Sequence, residues 1–203
     1  MRVLDARFAG TAVDAKGAPA AGPPEVAWVG RSNVGKSSMI NALVGRRKLV
    51  RVSHTPGRTR TLNFFDVLLE VEGARRPVRF VDLPGYGFAK VSKDERAKWK
   101  EMVTKYLANR SALRAVVSIL DAEVGPTPDD KQALDYLEAV APRILVVATK
   151  VDRLSKSRRH PRLLEIAGQL GVPGGAVLPF SAHEGIGLEA VWDSLLDVLF
   201  PSS

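Results

Sequence analysis

From Glu25 onward the apolar positions fall into short unbroken runs separated by stretches of helical spacing, and the two alternate. Val26–Val29, Arg114–Leu120 and Arg143–Ala148 have the length and near-continuous apolar character of strands buried on both faces. Leu62–Val71, rich in Phe, Leu and Val, and Pro77–Leu83 flank a charged turn over Glu72–Arg76, which predicts a hairpin. Ala176–Phe180 is a shorter strand candidate. Trp99, Met102, Val103, Tyr106 and Leu107 share one helical face. Leu188, Val191, Trp192, Leu195, Leu196 and Leu199 keep the i, i+3, i+4 spacing, with Glu189, Asp193 and Asp197 opposite. Such a stripe fits a helix covering a sheet better than one reserved for a partner. Successive strand–helix units predict an α/β fold of three layers: a mostly parallel sheet of about six strands, one of them antiparallel, with helices on both faces.

Upstream, Arg2–Val13 can hold one strand, and the Pro- and Gly-rich tract Asp14–Pro24 reads as a linker or irregular arm. Residues 1–24 are therefore expected to be an N-terminal strand and arm, and residues 25–203 the folded domain. No internal repeat is visible.

At 203 residues the chain can bury a full core as one domain. It has no cysteine, which excludes disulfides and thiolate zinc sites. No apolar run approaches the ~20 residues needed to span a bilayer. The first residues lack the charged-then-apolar order of a signal peptide, so a cytoplasmic, monomeric protein is expected. The formal net charge of +8 exceeds what solubility requires and points to a polyanionic partner. Charge alone does not separate nucleic acid from an acidic membrane surface, although no amphipathic anchor or lipidation signal favours the membrane.

Gly30, Arg31, Ser32, Asn33, Val34, Gly35, Lys36 and Ser37 form a complete Walker A loop between a short apolar run and a helical pattern beginning at Ser38. Its glycines let main-chain N–H groups turn inward around a phosphate chain. Lys36 supplies a point charge for β/γ oxygens, and the Ser37 hydroxyl can ligate Mg²⁺. The helix that follows adds the positive end of its dipole.

Three further elements follow in order. Asp82, Leu83, Pro84 and Gly85 form an Asp-x-x-Gly element at a strand end. There the carboxylate can hold Mg²⁺ through water, and the glycine N–H can approach a γ-phosphate. Thr149, Lys150, Val151 and Asp152 close another predicted strand and resemble the guanine-reading Asn/Thr-Lys-x-Asp element of GTPases. A carboxylate there accepts from the N1–H and 2-amino group of guanine, a pair adenine does not present. The Lys150 stem can lie along the base face. Thr149 in place of Asn removes an amide, so weaker contacts to the base or the phosphate loop are expected there. Ser181 and Ala182, at the next strand end, fit the fifth GTPase element, whose N–H meets guanine O6. Between the first two elements, Thr55-Pro56-Gly57-Arg58-Thr59-Arg60-Thr61 offers three threonines, Thr55, Thr59 and Thr61, as candidates for the switch I ligand of Mg²⁺ and γ-phosphate.

The strings Gly-Arg-Ser-Asn-Val-Gly-Lys-Ser-Ser, Thr-Pro-Gly-Arg-Thr, Asp-Leu-Pro-Gly-Tyr-Gly-Phe-Ala and Thr-Lys-x-Asp resemble those of the bacterial EngB-type GTP-binding proteins, of the class that includes Era, EngA and TrmE. The resemblance covers about residues 25–200 and implies a Ras-like P-loop NTPase domain and Mg²⁺-dependent binding of GTP and GDP. It also implies hydrolysis of GTP and a role in assembling the large ribosomal subunit, with cell division and septation as associated roles. A nucleotide-gated scaffold at the division septum with little turnover is the alternative. Thr59 is the switch I ligand on this resemblance, with Gly57, Arg58, Arg60 and Thr61 around it. The implied metal set is Ser37, Thr59 and Asp82, and the implied catalytic set is Lys36, Thr59, Gly85 and Asn33.

Position 86, where Ras-like enzymes carry a water-orienting glutamine, is Tyr86, which predicts slow intrinsic turnover. Asn33 is open to two readings: a ligand for K⁺, as in related GTPases, or a residue that tolerates an unusual loop backbone. Six Lys/Arg against one acid lie between Lys150 and Arg162 (Lys150, Arg153, Lys156, Arg158, Arg159 and Arg162 against Asp152). Arg46, Arg47, Lys48 and Arg51 form a second group, and Lys90, Lys93, Arg96, Lys98 and Lys100 a third. Each alone is an ordinary solvated face. Together, beside nucleotide-sensing loops, they favour rRNA phosphate contacts read by shape rather than by base sequence.

Overall fold

The computed structural model describes residues 1–50, 61–86 and 93–201; within 93–100 only the side chains of Ala97 and Lys100 are described. The chain runs β1 (Arg2–Ala12), β2 (Glu25–Gly30), α1 (Lys36–Leu43), β3 (Leu62–Val71), β4 (Ala74–Asp82), α2 (Lys93–Asn109) and β5 (Leu113–Asp121). It continues through α3 (Pro128–Val140), β6 (Ile144–Thr149), a 3-10 turn (Val151–Arg153), α4 (Lys156–Leu170), β7 (Val177–Pro179) and α5 (Leu188–Leu199).

The strands form one sheet in the order β1-β3-β4-β2-β5-β6-β7. β3 pairs antiparallel with both β1 and β4, and the remaining neighbours pair in parallel. Thus one strand runs against the rest, as expected, but the count of about six is corrected to seven. The extra strand is β1, which pairs along β3 from Arg2↔Glu70 to Ala12↔Leu62 and becomes an edge of the sheet. An edge strand needs no continuous apolar run, because most of its side chains face water.

The hairpin between β3 and β4 is tighter than its charge pattern suggests. Glu72 and Gly73 take φ of 52° and 78° and form a two-residue turn whose twist matches the strands. Ala74, Arg75 and Arg76 belong to β4. Their charges are tolerated because this end of the strand is exposed.

Helices α1 and α5 cover one face. Met39, Ile40 and Leu43 of α1 and Val191, Trp192, Leu195 and Leu199 of α5 are buried there with Trp28, Phe80 and Ile119. The α5 stripe is therefore core. On the other face Val103, Tyr106 and Leu107 of α2 pack with Leu137 of α3, and Ile166 and Ala167 of α4 pack over β5 and β6. Trp28 meets Phe80 edge-on at 4.8 Å, inside the sheet–helix core below the Walker loop.

The irregular stretch after β1 is tied down by a buried polar cluster. Glu25, fully buried, accepts from Tyr106 at 2.6 Å and from the Arg110 guanidinium at 2.6 and 2.8 Å. Arg110 and Arg79 also donate to the carbonyls of Pro19 and Ala20 at 2.7 and 3.2 Å. A buried carboxylate is retained only with such charge-assisted partners, and here those partners hold the arm against the sheet. No described helix is long and apolar enough to cross a membrane.

Candidate nucleotide-binding site

β2 lies between β4 and β5 in the sheet, so the carboxyl ends of these strands open onto the crevice where ligands of open parallel sheets bind. The Walker loop leaves β2 at Gly30 and enters α1 at Lys36. Asn33 takes φ 65° and Gly35 takes φ 96°, and Gly35 is the N-cap of α1. This left-handed turning lets successive N–H groups converge, and glycine and asparagine adopt it at little cost.

Gly85 comes close to this loop. A Cβ there would lie 3.2 Å from Gly30 O and 3.4 Å from Ser32 N, so any larger residue would press the two segments apart by a few tenths of an ångström. Tyr86 N–H donates to Gly30 O at 3.3 Å, and Ser32 N–H donates to Tyr86 O at 3.2 Å. The Asp-x-x-Gly element is thereby laced to the phosphate loop through the main chain.

Asp82 ends β4, 5% exposed. The Lys36 ammonium donates to its carboxylate and, at 2.7 Å, to Leu83 O. Pro84 links this pair to Gly85. Mg²⁺ prefers hard oxygen donors. No group of three or more His, Cys, Asp or Glu suited to a metal occurs among the described residues. Of the expected ligands, the Ser37 hydroxyl and the Asp82 carboxylate are described and would hold the ion, while Thr59 lies outside the described residues. Both are hard oxygens, and Asp82 already accommodates a cation, so the donor set fits Mg²⁺. Bound there, the ion would supply charge neutralisation for β- and γ-phosphate oxygens.

At the third element, Thr149 is buried at the end of β6. Its hydroxyl meets Val34 O of the phosphate loop, and Leu120 O at 3.0 Å. Threonine thus keeps a contact with the phosphate loop through its hydroxyl. A short hydroxyl reaches the loop carbonyl because β5 and β6 carry it directly beneath. Lys150 takes φ 60° and reaches back over the loop, donating to Asn33 O at 2.8 Å and to Asp121 Oδ2 at 2.6 Å. Val151 is buried, and its N–H donates to Phe180 O at 3.3 Å, which brings Asp152 beside Ser181. The Ser181 hydroxyl holds the Asp152 carboxyl below the usual carboxylate range. Asp152 is therefore ionised and acceptor-only near neutral pH. Ser181 is itself fixed: its N–H donates to Ile186 O, and its oxygen accepts from Glu184 N–H, both at 3.0 Å. Ala182 follows, exposed.

The structure thus gathers residues 30–38, 82–85, 149–152 and 181–182 at one end of the sheet. Thr61 immediately precedes β3. Thr55, Gly57, Arg58, Thr59 and Arg60 lie outside the described residues, as do Arg51 and Lys90.

Tyr86 takes an unexpected place. It is buried, and its hydroxyl donates to Asp130 Oδ1 at 3.0 Å. Asp130 also caps α3 with Thr127, whose N–H meets Oδ2 at 2.8 Å. Burial and the neighbouring Asp130 push the phenol far above its ordinary pKa, so it stays protonated. Asp130 carries only the signal of a helix start, the Thr127-x-x-Asp130 capping box, and Asp121 belongs to no sequence motif. The one signal at Asp121 is an acid closing an apolar strand, the same placement as Asp82.

Much of the basic run is internally neutralised. Arg153 pairs with Glu123 and Arg159 with Glu184, each at 3.0 Å, and Arg162 pairs with Glu165 at 2.8 Å. Lys156 and Arg158 are exposed and make no ion pair among the described residues, as do Arg47 and Lys48. Arg46 pairs with Asp5 at 3.1 Å, and Lys100 lies 5.3 Å from the Tyr136 ring centre.

Comparison with known proteins agrees with this geometry. The family described as 50S ribosome-binding GTPase matches residues 25–150. A probable GTP-binding protein EngB of Myxococcus xanthus (strain DK1622) is 62% identical over 203 residues, spanning 100% of this chain and 98% of the relative. A protein of the same description from Anaeromyxobacter sp. (strain Fw109-5) is 50% identical over 194 residues, covering 95% of this chain and 90% of the relative. The crystal structure of a probable GTP-binding protein EngB superposes with a TM-score of 0.65 at 23% identity, covering 86% of this chain and 98% of the other. Era in complex with MgGDPNP and nucleotides 1506–1542 of 16S ribosomal RNA gives a TM-score of 0.70 at 24% identity, covering 89% and 58%. At these identities the two structures show likeness of fold.

Proposed function

The chain belongs to the EngB family of GTP-binding proteins, and from that membership we propose that it is a GTP-operated switch in the assembly of the large ribosomal subunit. The observation that carries the switch is the main-chain lacing of Tyr86 to Gly30 and Ser32. A Gly85 N–H drawn to a terminal phosphate would pull on the residue tied to Gly30 and Ser32, where the chain enters the phosphate loop. GTP would therefore order the segment after Gly85, together with Thr59, and hydrolysis would release both. Lys36, Ser37 and Asp82 hold the phosphates and Mg²⁺, while Lys150, Asp152, Ser181 and Ala182 hold the guanine.

The ribosomal assignment is supported by the description of the matching family and by exposed cations that make no ion pair among the described residues, Arg47, Lys48, Lys156 and Arg158. The protein acts in the cytoplasm as a monomer on this proposal. Pelleting with large ribosomal subunits tests it, with GDP, a non-hydrolysable GTP analogue and no nucleotide compared in parallel. Retention should be strongest with the analogue. It should fall on the order of 10²-fold between 50 and 200 mM salt if about four phosphates are neutralised. Equal pelleting in GDP and the analogue would remove the switch; no pelleting at all would favour the septal scaffold.

Intrinsic hydrolysis is slow on this proposal, because the Tyr86 hydroxyl is engaged with Asp130 rather than presented as a water-orienting amide. The missing charge is assigned to K⁺ held by Asn33. The positive φ of Asn33 by itself accounts for an asparagine without a cation, so the two uses must be separated by measurement. GTP turnover in K⁺ should exceed that in Na⁺ at equal ionic strength, by about tenfold or more for a group acting in the transition state. Identical rates would leave Asn33 with a backbone role alone.

A further inference from the structure

We propose that Asp121 is a positioning residue for the nucleotide base, which acts by clamping the Lys150 stem in its base-facing path before the nucleotide arrives. The proposal rests on the guanine-nucleotide reading of the site.

Asp121 closes β5 and is 5% exposed. Its two oxygens have separate tasks. Oδ1 accepts from Glu123 N–H at 2.9 Å and Val124 N–H at 3.3 Å, which shapes the turn after the strand. Any short acceptor, such as Asn or Ser, could do this. Oδ2 accepts from the Lys150 ammonium at 2.6 Å, and only this contact calls for a negative charge. The other end of the ammonium's grip is Asn33 O, at 2.8 Å.

On the way to these two acceptors, which share the one ammonium, the lysine stem passes the phosphate loop, with Cε 4.0 Å from where a Cβ on Gly35 would stand. Lys150 starts from a left-handed backbone, φ 60°, so its side chain is aimed back over the loop instead of along β6. A free lysine stem samples many rotamers, and ordering it on ligand binding costs affinity on the order of tenfold. A fixed anion at its tip meets that cost in advance. Asp121 needs no contact with the nucleotide to do so.

Calorimetric titration of nucleotide-stripped Asp121→Asn with GDP and, separately, with inorganic tripolyphosphate tests the idea. The GDP affinity should fall by about tenfold, while tripolyphosphate binding stays within about twofold, because Asn33 O and the loop amides are untouched. In a Lys150→Met background the same Asp121→Asn change should add less than about twofold, since the clamp has nothing left to hold. Unchanged GDP affinity, an equal loss for both ligands, or an undiminished loss in the Lys150→Met background would each overturn the proposal. If Asp121→Asn does not fold, Asp121→Ser keeps the turn acceptor and is read by the same criteria. A parent protein that binds ADP as well as GDP would instead overturn the guanine reading beneath it.

Discussion

Lys36→Ala should abolish nucleotide binding. The Lys36 ammonium stands at the first turn of α1, within reach of both the phosphate loop and the carboxylate that closes β4. Charge-assisted hydrogen bonds to two phosphate oxygens are each worth about 1.5–3 kcal/mol, so their loss amounts to ~10²–10⁴-fold in affinity. The substitution has a second consequence. Asp82 is buried, and its Lys36 partner is only 12% exposed on its side chain. Removing one member of a buried pair strands the other, at about 3–5 kcal/mol. The variant should therefore melt at a lower temperature as well as fail to titrate with GDP in magnesium buffer. A folded Lys36→Ala protein that binds GDP within about tenfold of the parent would refute the assignment of this lysine.

Asp152→Asn should exchange guanine for xanthine. The carboxylate is held ionised by Ser181 and offers two acceptors to the two donors along the guanine edge. An amide offers one donor and one acceptor, which mismatches guanine and matches xanthine, whose 2-position carries a carbonyl. Sites built to hydrogen-bond a polar edge discriminate by up to about 10⁴–10⁵-fold. GDP affinity should drop by several orders of magnitude and XDP affinity should rise, measured by competition against a fluorescent nucleotide. A variant that still prefers GDP would show that the base is read elsewhere. The Asp121→Asn change is distinguishable from this one, because it weakens GDP without altering which base is preferred.

The motifs were legible because each depends on rare residue types at fixed local spacing. A phosphate loop needs Gly, Lys and Ser in register with a strand and a helix, and the chain shows all of them between Gly30 and Ser37. The buried strands β5 and β6 and the helix α5 were equally plain, since burial on one or both faces leaves a period that can be counted in the sequence. A strand was legible within Arg2–Val13, but its place at the edge of the sheet was not, because that depends on pairing with β3 nearly seventy residues later (Arg2↔Glu70). The residues Ala74–Arg76 read as turn because two of the three are charged, yet an exposed strand end carries charge freely.

The chain alone therefore determined the order of elements, the motif at each strand end and the family to which they belong. Folding decided which partners those side chains keep. Lys150 bonds Asp121 across 29 residues and Asn33 across 117; Tyr86 bonds Asp130 across 44. Half of the basic run Lys150–Arg162 was spent on acids that lie near it only in space: Lys150 on Asp121, Arg153 on Glu123 and Arg159 on Glu184. Periodicity records how deeply a residue is buried, which is a property of its own segment. Hydrogen bonds and ion pairs depend on distances of a few ångströms between segments, and those exist only once the sheet has brought the strand ends together.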